Sequence, residues 1–254
     1  MQRWPRIYGI KMENRGIRRV ENENILEVKD VTKKYRSKHA LRGVSFTLGA
    51  GRITGLLGSN GSGKSTLMKI IAGLAQPTSG SVSVLGGSVG VESKAVVSFM
   101  PDKPLTESWM SVSDALKFQR DFYPDFDQAK ASRMLGFMKL REKDRVKDLS
   151  KGMNERLQLT LALSRRASLY LLDEPIGGVD PVARTKILNA LMEFYEEDST
   201  ILLSTHLITD IERIFDDVIL IKEGEIVMHS EVEDIRLRHG KSIDELFREV
   251  YAEC

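Results

Sequence analysis

The nonapeptide Gly58-Ser59-Asn60-Gly61-Ser62-Gly63-Lys64-Ser65-Thr66 constrains this chain more than any other stretch. It follows an apolar run, Ile53 to Leu57, and precedes Leu67-Met68-Lys69-Ile70-Ile71-Ala72, which reads as strand, glycine loop and helix start. Glycines let consecutive backbone N–H groups turn inward, and the following helix adds the positive end of its dipole. The loop is therefore a cradle for the phosphates of a nucleotide. Lys64 supplies a mobile cation for the β- and γ-phosphate oxygens, and the Ser65 hydroxyl is placed to ligate Mg2+. A cradle of this kind needs a buried strand to aim it and helices to cover the sheet, so the expected class is α/β.

A second apolar strand, Leu169-Tyr170-Leu171-Leu172, delivers Asp173 and Glu174 to its carboxyl end, where open α/β sheets bind their ligands. Asp173 is suited to hold Mg2+ through water, and Glu174 to orient or deprotonate an attacking water. A third strand, Thr200 to Ser204, hands over to Thr205-His206 at the same end. There His206 is placed to meet a γ-phosphate or that water.

Around these segments the pattern is that of a single elaborated unit. Ile25 to Val31 and Val44 to Leu48 alternate like antiparallel strands leading into the cradle. Tyr35 lies between them, either as a ring for stacking on a purine or as a ring packed at a sheet edge. Val96 to Met100 reads as a strand ended by Pro101-Asp102, and Val218 to Met228 as a hairpin. From about 106 to 165 the chain changes to charged helical spacing with Met and Phe residues, a helical insertion whose Met and aromatic side chains form core or a partner groove. Within it, Leu149-Ser150-Lys151-Gly152-Met153 opens a helix expected over Asn154 to Arg166, with Ser150 as its N-cap. Gly152 is the less expected residue, since glycine weakens a first turn unless backbone must approach something closely. Pro181 ends a turn leading into a helix expected over Val182 to Glu197. Residues 1–24 read as a poorly ordered basic extension, 25–231 as the nucleotide-binding unit, and 232–254 as a short tail of two helices around Gly240.

Composition narrows the setting. With 38 basic and 36 acidic residues among 254, the formal charge of +2 gives no support to a nucleic-acid-coating role. No run approaches the roughly 18 apolar residues of a membrane helix, so a membrane role is expected only through a partner. The one cysteine is Cys254, which points to a reducing compartment and is assigned no function.

In this order and spacing, the cradle, the Leu-Ser-x-Gly turn, the Asp-Glu strand and the His strand resemble the nucleotide-binding subunit of an ABC transporter. The resemblance spans about Ile25 to Glu231. It implies a P-loop NTPase (RecA-like) core with an antiparallel β subdomain and an α-helical insertion. It further implies ATP and Mg2+ as cofactors, with Tyr35 as the adenine-stacking ring and Gly58 to Thr66 as the Walker A loop. Ser65 and Asp173 become metal ligands with Asp102 as a further candidate, Glu174 the catalytic base, and Asp180 the D-loop aspartate. His206 is the implied switch histidine, and Ser150 and Gly152 the implied signature contacts to ATP. The partners implied are a second nucleotide-binding subunit, in a homo- or heterodimer, and an integral-membrane permease that holds the chain on the cytoplasmic face of the cell membrane. A soluble ABC ATPase of the iron–sulfur assembly type is the competing class.

Two motifs depart from the family pattern. Lys151 and Met153 stand where the signature usually has glycine and glutamine, and Asp102 stands where the family places glutamine. A carboxylate there repels a γ-phosphate unless Mg2+ or water lies between. Both departures, with the short tail, are similar to the YtrB-like branch of type-2 exporter ATPases.

Overall fold

The computed structural model describes residues 24–252. The expected extension, apart from Asn24, and Cys254 lie outside the described residues. The chain opens with two long antiparallel strands, β1 (Asn24–Tyr35) and β2 (Lys38–Gly49). Their alternating apolar side chains, such as Leu26, Val28, Val44 and Phe46, are buried. β3 (Ile53–Leu57) is buried throughout and leads through the glycine loop into α1 (Lys64–Ile71). β4 (Ser79–Val84) and β5 (Gly87–Ser88) follow, and complete a four-stranded sheet of order β2-β1-β4-β5. A short helix, α2 (Val91–Val96), then precedes β6 (Val97–Met100). That helix has no counterpart in the sequence reading: a single polar turn carries too few apolar positions to show a helical period.

The insertion is helical as expected, with α3 (Val112–Phe122), α4 (Gln128–Met138) and a 3-10 turn over Val146–Asp148. Met134, Leu135 and Met138 are core, whereas Phe118 and Phe122 are exposed and stack on each other with centroids 4.4 Å apart. α5 (Lys151–Leu163) starts earlier than the expected Asn154, because Ser150 caps it at once, its Oγ accepting the Met153 N–H at 3.2 Å. β7 (Leu169–Asp173), α6 (Pro181–Phe194) and β8 (Thr200–Thr205) come next. Asp180 caps α6 and Pro181 fills its first position, which fixes the start one residue before the expected Val182. After a 3-10 turn at Glu212–Ile214, β9 (Asp217–Lys222) and β10 (Glu225–Glu231) form the hairpin. α7 (Val232–His239) and α8 (Ile243–Ala252) then flank Gly240, which ends α7 in the left-handed conformation.

The main sheet has the order β10-β9-β3-β8-β7-β6 and is parallel except for β10. Alternation along its central strands sends successive leucines to opposite faces. Leu56, Leu171 and Leu202 join the core shared with α1 and the antiparallel sheet, while Leu57, Leu172 and Leu203 join the core under α4, α5 and α6. Burial on both faces explains why these strands read as unbroken apolar runs. Register then brings their carboxyl ends together: Leu57 pairs with Thr205, and Asp173 with Ser204. No helix among the described residues is long and apolar enough to cross a membrane.

Candidate active site

The glycine loop turns tightly against β9, the first strand of the hairpin. A Cβ on Gly58 would sit 2.6 Å from the Ile221 carbonyl oxygen, and Gly61 and Gly63 hold φ of 82° and 115°, in the region that only glycine adopts freely. The loop's course brings Lys64 inward, where it is buried and its Nζ donates to the carbonyls of Gly58 at 2.8 Å and Ser59 at 3.2 Å. Ser59 and Asn60 are exposed at the rim, Ser62 is buried, and Thr66 is half-buried.

Three strand ends converge on this lysine. Ser65 Oγ donates to Asp173 Oδ1 at 3.1 Å, and Ser204 Oγ donates to the same oxygen at 2.6 Å. Lys64 Nζ lies 3.3 Å from Glu174 Oε1, and His206 Nδ1 lies 3.0 Å from Glu174 Oε2. Glu174 has φ 52°, a strained conformation for a residue with a Cβ. It is held there by its backbone N–H, which donates to Ser204 O and Ser204 Oγ, each at 3.1 Å. Ser204 thus fixes both acids of the Asp-Glu pair. The sequence reading passed over it as the last residue of a strand, although a hydroxyl ending an apolar strand was the available signal.

Burial pushes the Asp173 carboxyl up from its usual range, opposed by hydrogen bonds from Ser204 and Ser65 and reinforced by the charges of Glu174 and Asp102. Its second oxygen, Oδ2, is buried and has no hydrogen-bond partner among the described residues. A desolvated, unpaired carboxylate oxygen beside a serine hydroxyl is a donor set for a hard divalent cation. The residues fit Mg2+, which takes one or two protein oxygens and completes its shell from phosphate and water. Asp102 is exposed and, with Ser65, Asp173, Leu74, Leu105 and Tyr123, lines a cavity of about 670 Å3.

The remaining predicted residues lie elsewhere. Tyr35 ends β1 half-exposed, with Lys33 Nζ 4.9 Å from its ring centroid. Gly152 packs on the start of α6: its Cβ would come 3.0 Å from Ala183 Cβ and 3.8 Å from Asp180 Oδ2. That close approach accounts for glycine in a first turn. Asp180 accepts the N–H groups of Val182 and Ala183 at 2.9 and 3.0 Å. Those bonds, the Ala183 one foremost, hold its carboxyl below the usual range.

Comparison with known proteins agrees with this geometry. Residues 41–177 match the family model described as ABC transporter. The uncharacterized ABC transporter ATP-binding protein YxlF of Bacillus subtilis (strain 168) is 32% identical over 224 residues, covering 86% of this chain and 75% of that protein. The Nod factor export ATP-binding protein I of Rhizobium meliloti (strain 1021) is 38% identical over 209 residues, covering 78% of this chain and 62% of its own length. A solved structure of the ATP-binding subunit of an ABC transporter is 30% identical, with a TM-score of 0.79 over 89% of this chain and 99% of that one. The cradle, the acid pair and the strand ends that join them are thus those of a known family, and the chain belongs to the ABC transporter ATP-binding proteins, as an ATPase subunit.

Proposed function

We propose that the chain powers an exporter, with 25–231 acting as one nucleotide-binding unit. The observation that carries this is the cluster of Lys64, Ser65, Asp173, Glu174 and His206 at adjoining strand ends, while Ser150 and Gly152 open a different helix packed on α6. A site whose phosphate contacts are divided in this way is completed by a second subunit meeting the first head to tail.

ATP would lie with its triphosphate in the loop 58–66 and its adenine against Tyr35. Lys64 releases Glu174 and takes up the β- and γ-oxygens. Mg2+, held by Ser65 and Asp173, would neutralise charge on the same phosphates. Water attacks the γ-phosphorus as its proton passes to Glu174, the bond to the β,γ-bridging oxygen breaks, and ADP leaves. His206 orients Glu174 and the water. The exposed N-terminus of the partner's α5, with the partner's copy of Ser150 and Gly152, binds the γ-phosphate through backbone N–H groups and dipole. Loss of that phosphate opens the dimer, and Asp102 and the cavity beside it carry the motion to a membrane-embedded permease at the cytoplasmic face. Export is supported by the relative named for Nod factor export.

Affinity purification of the tagged chain from detergent-solubilised membranes tests this. A polytopic membrane protein recovered in stoichiometric amount is the expected result; a chain found only with soluble partners overturns the transporter role and favours the iron–sulfur assembly class.

A further inference from the structure

The end of β1 carries a cation that the phosphate site does not use. Lys33 and Tyr35 stand two residues apart on this strand and therefore on one face of it. Lys33 Nζ donates to Gln76 O at 2.6 Å and lies over the Tyr35 ring, 4.9 Å from its centroid. The support behind that ammonium is itself fastened to β1. Gln76 belongs to the stretch that follows α1, where Thr78 N–H donates to Thr32 O at 2.8 Å and Thr78 Oγ1 accepts the Lys34 N–H at 3.0 Å. Tyr35 is 48% exposed, so its ring is held by a cation on one face and remains accessible to a ligand.

The same hairpin is moulded to the phosphate loop. Its register slips between the pairs Lys33–Leu41 and Lys34–His39, which leaves Ala40 as an extra residue on β2. The Ala40 carbonyl faces the glycines instead: a Cβ on Gly63, or one on Gly224, would sit 2.7 Å from Ala40 O. Tyr35 pairs with Lys38, two residues before Ala40, or about 7 Å of strand. That span leaves room for a ribose between the phosphates and the ring.

A lysine that served only to tie Gln76 to the sheet would have no need to lie over an aromatic face. A cation there draws the π-electrons toward itself, which lowers the repulsion that a second π-system meets on the opposite face. We propose that Lys33 is a positioning residue for base recognition: it braces Tyr35 from one face and leaves the other to the purine, so that the ring is the middle layer of a cation–ring–purine stack. This rests on the adenine lying against Tyr35, as proposed above, and adds the residue that sets the pose and polarity of that ring. Lys33 then acts on the base end of the nucleotide, whereas Lys64 acts on its phosphates.

The test titrates the full-length chain calorimetrically, in the presence of Mg2+, with ADP and with inorganic tripolyphosphate. We expect Lys33→Met to weaken ADP binding about fivefold while tripolyphosphate affinity changes by less than about twofold. Lys33→Arg, which keeps a cation over the ring, should bind ADP within about twofold of the parent. Tyr35→Leu should weaken ADP binding by about tenfold, and Lys33→Met added to it should bring less than about twofold further loss. Parental ADP affinity in Lys33→Met overturns the inference. Equal losses for ADP and tripolyphosphate also overturn it, by placing the charge on the phosphates, and so does the same Lys33→Met loss with and without the Tyr35 ring, which would make Lys33 a tie to Gln76 alone. Parental ADP affinity in Tyr35→Leu overturns the reading of Tyr35 itself, and this inference with it.

Discussion

Lys64 Nζ lies 3.3 Å from Glu174 Oε1, so the cation proposed to bind phosphate and the carboxylate proposed to activate water neutralise each other. Both side chains are largely buried, at 5% and 11% exposed, which strengthens their attraction over that of a surface pair. A γ-phosphate arriving in the loop would compete for the ammonium and free the carboxylate where the water is to be deprotonated. The proposed catalytic base is therefore engaged until substrate is present.

Glu174→Gln should keep ATP binding and lower turnover by about 100-fold or more, the usual contribution of a positioned base. Steady-state phosphate release beside equilibrium nucleotide binding checks both halves. A variant that turns over at the parental rate removes Glu174 from that role.

Lys64→Ala removes the only one of these charges that attracts a triphosphate, and leaves Glu174 facing it unpaired. Loss of ATP affinity by about tenfold or more is expected by isothermal titration. Unchanged affinity and turnover would refute the phosphate role.

Asp102 shares its cavity with Ser65 and Asp173, and its charge contributes to holding the Asp173 carboxyl up. Asp102→Gln should retain ATP binding within about threefold while changing ATPase stimulation in the permease-bound complex. Complete loss of Mg2+-dependent binding would make Asp102 a metal ligand.

Glu155 is buried on α5, and desolvation pushes its carboxyl up to about 7, with Asp102 raising and Lys151 lowering it. The folded protein thus binds this proton more tightly than the unfolded chain, so its contribution to stability falls as pH rises from about 4.5 through 7. Glu155→Gln should leave stability near pH 4 almost unchanged and raise it near pH 8, by at most about 3 kcal/mol. Urea unfolding at both values checks this; equal effects at the two would remove Glu155 as the titrating group.

Ser150 caps α5 through the Met153 N–H. Ser150→Ala should cost about 1 kcal/mol of stability in chemical unfolding. It should also weaken ATP-driven dimerisation beyond that loss, because the same hydroxyl is proposed to face the partner's nucleotide.

Local chemistry made much of this protein legible in one dimension. Gly58 to Thr66, the apolar strands ending in Asp173-Glu174 and His206, and the cap at Ser150 are contiguous motifs, whose residues must be neighbours in sequence because backbone geometry positions them. What tertiary structure alone decided are the relations between those motifs. Ser204 joins Asp173 to Glu174 because parallel pairing sets β8 beside β7, and Lys151 meets Gly178 because α5 packs where α6 begins. Asp180 and Pro181 moved the start of α6 by one residue through a cap, which periodicity does not register. Sequence dictates each segment through propensity and hydrophobic period, whereas the distances that turn a lysine, two acids and a histidine into one site arise only when the strands that carry them share a sheet.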